Sequence, residues 1–235
     1  MKIQTAVIAL AGLVAATSLA SAGTVKYYGG DPDDVSGLLD IRSAISDALV
    51  FDDFDWSGGS VDRVFGNYSS NANAFANAIV SMEFEIRTGV SSGNGGTLVA
   101  SGLTTNFTWV DTGIDYLGAD GFRGTADVNN FNLDPGTYFL ALRPVFNVPS
   151  NSVPFSYLLS TSGTNSVGTP TGNGNSFFQS TGGTAGLFSY LESESDELLG
   201  DGTWDFSQGV EMVPLPTGAA MGVAGIALVG LRRWR

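Results

Sequence analysis

The chain has 235 residues, neither cysteine nor histidine, 32 glycines, and 23 acidic against 10 basic side chains, for a formal net charge of -13. These counts exclude Ser-His-Asp and Cys-His nucleophile systems, zinc and haem sites of the usual ligand types, and disulfides. The acidic balance argues against nucleic acid, whose phosphates need clustered Lys and Arg.

The first 22 residues have the three-part form of a secretory signal peptide: Lys2, an apolar run from Ala6 to Ala16, and a small-residue exit ending Ala20-Ser21-Ala22. Cleavage by signal peptidase is expected after Ala22. The mature protein then lies in an oxidising compartment without a disulfide, so packing and hydrogen bonds must hold it.

From residue 23 to 212 the periodicity is that of strands. Ala78, Val80, Met82, Phe84 and Ile86 are apolar at every second position, which puts one face in a core and one in water. Thr137 to Phe146 is apolar on both faces and reads as a central, covered strand. Further strands are expected over Thr24–Tyr28, Ala48–Trp56, Val61–Tyr68, Thr97–Ser101, Phe107–Val110, Gly121–Val128, Phe155–Ser160, Leu187–Leu191 and Thr203–Phe206. The run Ser92-Gly93-Asn94-Gly95-Gly96 and the triplet Asp134-Pro135-Gly136 supply turn chemistry between them. Val35 to Asp47 reads as a short helix or an irregular excursion. Residues 160–184, rich in Gly, Ser, Thr and Asn, read as a long loop within one domain. The fold expected is all-β: a single antiparallel β-sandwich of jelly-roll type, flanked by an N-terminal signal helix and a short C-terminal transmembrane helix.

Residues 213–235 form a second three-part element. Val213-Pro214-Leu215-Pro216 is extended and accessible, because the prolines block helix and sheet. An apolar stretch follows to Leu231, then Arg232, Arg233 and Arg235. As a helix, Gly218 to Leu231 is about 21 Å long against a hydrocarbon core of roughly 30 Å, so it spans only with thinning and arginine snorkelling. The arginines favour a cytoplasmic end.

This order of proline motif, short hydrophobic helix and arginine-rich tail resembles the PEP-CTERM sorting signal of bacteria with an outer membrane. The resemblance implies recognition by an exosortase, transient anchoring in the inner membrane, cleavage near the proline motif and transfer to the cell surface or extracellular matrix. Leu215 stands where the family usually has glutamate. Leu215-Pro216-Thr217-Gly218 is also similar to a sortase signal, but one residue short. The middle of the chain resembles a group of uncharacterised PEP-CTERM proteins over Tyr28-Gly29-Gly30-Asp31, Val50-Phe51-Asp52-Asp53-Phe54, Glu85 to Val90, Gly93 to Gly102, Pro135-Gly136-Thr137-Tyr138 and Gly174 to Phe178. That likeness implies a secreted β-sandwich and carries no activity with it. Lys2 and the three terminal arginines fall in segments expected to be removed, which leaves six basic side chains against 23 acidic ones, a net charge of -17.

Carboxylates are the remaining catalytic groups. Glu83 and Glu85 lie two apart on one strand face, about 7 Å between their bases, which overlaps the separation used in glycoside hydrolysis. Arg87 beside them equally suits a solvent-face ion pair. Asp31, Asp33, Asp34, Asp52, Asp53 and Asp55 offer the hard oxygen ligands calcium takes. Asp53 to Gly58 fits the first half of an EF-hand loop, but Val64 occupies the position of its closing acid. The same aspartates suit strand ends and hydrated loops. Trp56, Trp109 and Trp204 with Tyr27, Tyr28, Tyr68 and Tyr116 supply either a sugar-stacking platform or core. The expected function is a non-catalytic structural or exopolysaccharide-associating protein of the cell surface or matrix, with calcium the one cofactor considered. The alternative is a secreted carboxylate-dependent hydrolase of surface polysaccharide.

Overall fold

The computed structural model describes residues 23–75, 78–149, 152–180, 193–200 and 202–212. The signal segment with Ala20 and Ala22, the strand expected over Leu187–Leu191, and Val213, Pro214, Leu215, Pro216 and the tail lie outside them. Among the described residues no helix is long and apolar enough to cross a membrane.

The protein is all-β. Its strands are β1 (Thr24–Tyr28), β2 (Pro32–Leu39), β3 (Ile41–Arg42), β4 (Asp47–Trp56), β5 (Gly59–Ser70), β6 (Ile79–Thr88), β7 (Thr97–Thr104) and β8 (Phe107–Tyr116). They continue with β9 (Ala119–Leu133), β10 (Gly136–Phe146), β11 (Ser156–Thr161), β12 (Ser176–Ser180), β13 (Ser193–Glu194), β14 (Asp205–Phe206) and β15 (Gln208–Met212). One sheet contains β1, β2, β5, β8, β9, β11, β14 and β15; the other contains β3, β4, β6, β7, β10, β12 and β13. Among the described residues pairing is antiparallel except for one parallel bridge, Arg42 with Val145.

Strand β4 shows how alternation builds the molecule. Ala48, Val50, Phe54 and Trp56 enter the main core, which also takes Val64 and Tyr68 of β5, Ala126 of β9 and Leu158 of β11 from the other sheet. The intervening Leu49 and Phe51 join a second cluster with Phe139, Ala141 and Phe177. Strand β10 divides in the same way, with Tyr138, Leu140 and Leu142 in the main core and Phe139 and Ala141 in the second. It is buried on both faces, as its sequence suggests, and lies between β4 and β6.

Alternation is interrupted in β6. Ser81 pairs with Val145 and Ile79 with Phe146, so Val80 is an extra residue bulged out of the ladder and 43% exposed. The turn between β6 and β7 uses the expected glycines. Gly93 and Gly96 have φ of +71° and +63°, and a Cβ on Gly96 would stand 2.2 Å from the Thr88 carbonyl oxygen.

Two expectations are corrected. The segment 35–47 is neither helix nor excursion: β2 pairs with β11 through Leu38–Leu158 and Leu39–Tyr157, and β3 follows on the other sheet. Long-range pairing overrides the local apolar spacing here. Within 160–184, β11 extends to Thr161 and β12 pairs with β4 from Ser176–Asp52 to Ser180–Ala48, so Phe177 and Phe178 belong to a strand.

Between β2 and β3, Asp40 is fully buried. Its Oδ1 accepts the Val50 N–H at 3.2 Å and its Oδ2 has no partner. Burial pushes this carboxyl well above its ordinary value, against the pull of Arg143. The folded state therefore holds a proton that the unfolded chain releases near 3.8, and this contribution to stability falls as pH rises from there through the raised value. Asp40→Asn keeps an acceptor for Val50 and cannot ionise. Urea midpoints measured from about pH 4 to about pH 9 are expected to fall less steeply in Asp40→Asn than in the native chain.

Candidate functional site

The six N-terminal aspartates separate into two groups because β2 and β4 belong to different sheets. Asp31 accepts from the Tyr28 hydroxyl at 2.9 Å and from Asn165 Nδ2 at 2.7 Å. Asp33 accepts from the Ser160 hydroxyl at 2.7 Å, and Asp34 from the Leu117 N–H at 2.7 Å. Asp31 and Asp34 pin neighbouring loops, and Asp33 ties β2 to β11.

The second group holds the segment 169–175. Asp55 accepts from the hydroxyls of Thr137 and Thr169 at 2.7 and 3.0 Å. Asp53 accepts from Asn173 and Asn175. Asp205, which proximity in sequence could not reveal, accepts the backbone N–H groups of Gly172 and Gly174. Asp52 faces the core and accepts the Phe206 N–H at 2.7 Å. Burial raises the carboxyl of Asp52, and Asp205 beside it raises it further; burial likewise raises Asp53. Among the described residues no three His, Cys, Asp or Glu side chains are grouped to hold a metal ion.

Glu83 and Glu85 do share the outer face of β6, where arginines engage both. Glu83 bonds Arg143 at 2.7 Å and Arg42 at 3.0 Å, and Glu85 bonds Arg87 at 2.7 Å. Burial disfavours the charge of Arg143, but Glu83 and Asp47 outweigh it and hold its pKa above the ordinary value. The hollow beside them, about 150 Å³, is lined by Asp47, Leu49, Glu85, Arg87, Arg143 and Gln179.

The aromatic residues divide more informatively. Tyr27, Trp56 and Tyr68 are core. The Trp204 indole donates to the Gly200 carbonyl at 2.9 Å. Trp109 differs, because its Nε1 is buried without any hydrogen-bond partner. On β8 it pairs with Gly124 of β9, where a Cβ would stand 2.8 Å from the indole ring. Stacking on Phe122 (centroids 5.3 Å apart, 23° between planes) and a tilted contact with Tyr68 at 5.0 Å fix its orientation.

Trp109 lines a hollow of about 380 Å³ with Phe107, Asn73, Phe75, Ala78 and Ile79. Phe107 and Trp109 share a face of β8 by alternation, while the other walls come from the β5–β6 connection and the start of β6. Asn73 Nδ2 donates to Asp120 at 2.8 Å and to Asp111 at 3.3 Å. Three rings and a nearby amide side chain are suited to a ligand with both apolar and hydroxyl faces. Sequence reading singles out Trp109 but misses Phe75, Phe107 and Asn73; the Phe107-x-Trp109 spacing was the available signal. A second hollow, about 390 Å³, lies against Val35, Leu117, Phe155 and Tyr157.

Replacing Asp205 by Ala removes the acceptor for two loop N–H groups, a loss expected to cost about 1–3 kcal/mol. Limited proteolysis mapped by mass spectrometry should then cut within residues 169–175 faster than in the native chain.

No protein-family model, curated protein or solved structure matches this chain.

Proposed function

We propose that this chain is an exported surface or matrix protein whose β-sandwich associates, without catalysis, with neutral carbohydrate at the Trp109 hollow. Two sheets contributing to one core support the sandwich reading. The pairings support a jelly roll. Of eight strands in chain order (β2, β4, β5, β6, β7, β9, β10 and β11), the first pairs with the last, the second with the seventh, the third with the sixth and the fourth with the fifth.

The observation that carries the carbohydrate reading is the hollow lined by Phe75, Phe107 and Trp109 with Asn73 beside them. Aromatic rings stack on the C–H face of a sugar, and the Asn73 side chain beside them meets its hydroxyls. The acidic charge of the chain disfavours polyanionic glycans and leaves neutral ones. The signal-like start and the Pro214-Leu215-Pro216 element with its arginine tail support export by signal peptidase, brief residence in the inner membrane and processing by an exosortase.

Affinity electrophoresis through gels containing a soluble β-glucan, a galactomannan or a dextran tests the binding reading. At least one should retard the native chain, and Trp109→Phe, which leaves a smaller stacking face, should weaken that binding about fivefold. Retardation by none of the three, or equal retardation of Trp109→Phe, contradicts it. For sorting, the intact mass of the surface-exposed protein should lack residues 1–22 and the arginine tail; a retained tail contradicts exosortase processing.

A further inference from the structure

We propose that β7 is a self-association edge, through which two copies of this chain pair antiparallel and join two seven-stranded sheets across a two-fold axis. Strand β7 ends its sheet and among the described residues pairs only with β6. One row of its backbone N–H and C=O groups is therefore open, and what such a row binds is another extended strand.

The other strands that end a sheet carry the features that discourage such pairing. β1 has Lys26; β2 opens Pro32-Asp33-Asp34; β8 has Asp111 and Asp115; β13 and β14 are two residues each and contain Glu194 and Asp205. β7 is eight residues long with neither charge nor proline. No charged residue lies anywhere between Arg87 and Asp111.

Its apolar side chains are also placed for a partner. Leu98 is 49% exposed and Leu103 62%. Leu103 pairs with Glu83 and Leu98 with Arg87, and a bulge at Val99 brings these two leucines, of opposite parity in sequence, to the same outer face. When two β7 strands overlap end to end in antiparallel register, Leu98 of each copy lies opposite Leu103 of the other. Thr97 then faces Thr104, Ala100 faces Gly102, and Ser101 meets Ser101 of the other copy at the two-fold axis.

The occupant is a second copy for two reasons. Charge repels copies of -13 at most of their surface and spares this strand. An antiparallel β7 pair is self-complementary, so one closed contact satisfies both open rows.

Because the chain has no cysteine, Ser101→Cys introduces a single thiol beside the two-fold axis. Under mild oxidation of the full chain in detergent, Ser101→Cys should form covalent dimer at least tenfold faster than Thr112→Cys, placed on exposed β8. Adding Leu103→Lys to Ser101→Cys should return the rate to that control at an unchanged melting temperature. In sedimentation velocity the native chain should run as a dimer and Leu103→Lys as a monomer. Equal cross-linking at positions 101 and 112 assigns association to another part of the chain and overturns the proposal. So does indifference to Leu103→Lys, or a native chain that stays monomeric at every concentration, which would leave the edge to a strand of a different protein.

Discussion

The two sheets are tied by buried hydrogen bonds that cross the core, and the rest of the molecule depends on them. Asp52 on β4 accepts the Phe206 N–H of β14. Gln208 on β15 donates to the Leu140 carbonyl of β10 at 2.9 Å, and the Tyr68 hydroxyl on β5 donates to the Leu142 carbonyl of the same strand. Each bridge joins one sheet to the other, and each sits among side chains with almost no exposure. Hydrophobic burial is non-directional and leaves two sheets free to slide; a buried polar group costs free energy unless its partner is in place, and so fixes one alignment. A chain with no cysteine has no covalent means to the same end.

That alignment positions both surfaces of interest. Tyr68, held by its bond to β10, is also the ring against which Trp109 rests. The hollow beside Trp109 thus opens where β8 and the start of β6, from different sheets, face each other. Strand β7 leaves the same region at the end of its sheet. The domain concentrates its polar restraint at the β4, β12 and β14 side, and keeps its uncharged edge at β7 and its aromatic hollow between β6 and β8.

Much of the fold was legible in the sequence because Met82, Phe84 and Ile86 of β6 alternate with polar residues, because β4 and β10 are apolar on both faces, and because Gly93, Gly96, Pro135 and Gly136 punctuate the strands. Strand β2 was not. Its apolar residues have helical spacing, and it becomes a strand only by pairing with β11, more than a hundred residues on. The bulge that expels Val80 is likewise a property of the ladder with β10 rather than of β6 alone. The aspartates show the same limit: six that are neighbours in sequence divide between two sheets, whereas Asp52 acts with Phe206, 154 positions away. The hollow combines a strand face with a loop and a second strand, so only Trp109 stood out beforehand.

The dependence on cross-core bridges is tested most directly by native-state hydrogen exchange at the Phe206 amide, the donor to Asp52. If the bridge locks the sheets, this proton exchanges only through global unfolding, with the same opening free energy as the amide of Leu140 in the central strand. An opening free energy for Phe206 well below that of Leu140 and close to that of exposed Leu103 would show that β14 detaches from Asp52 while the core stays folded, and would contradict the account.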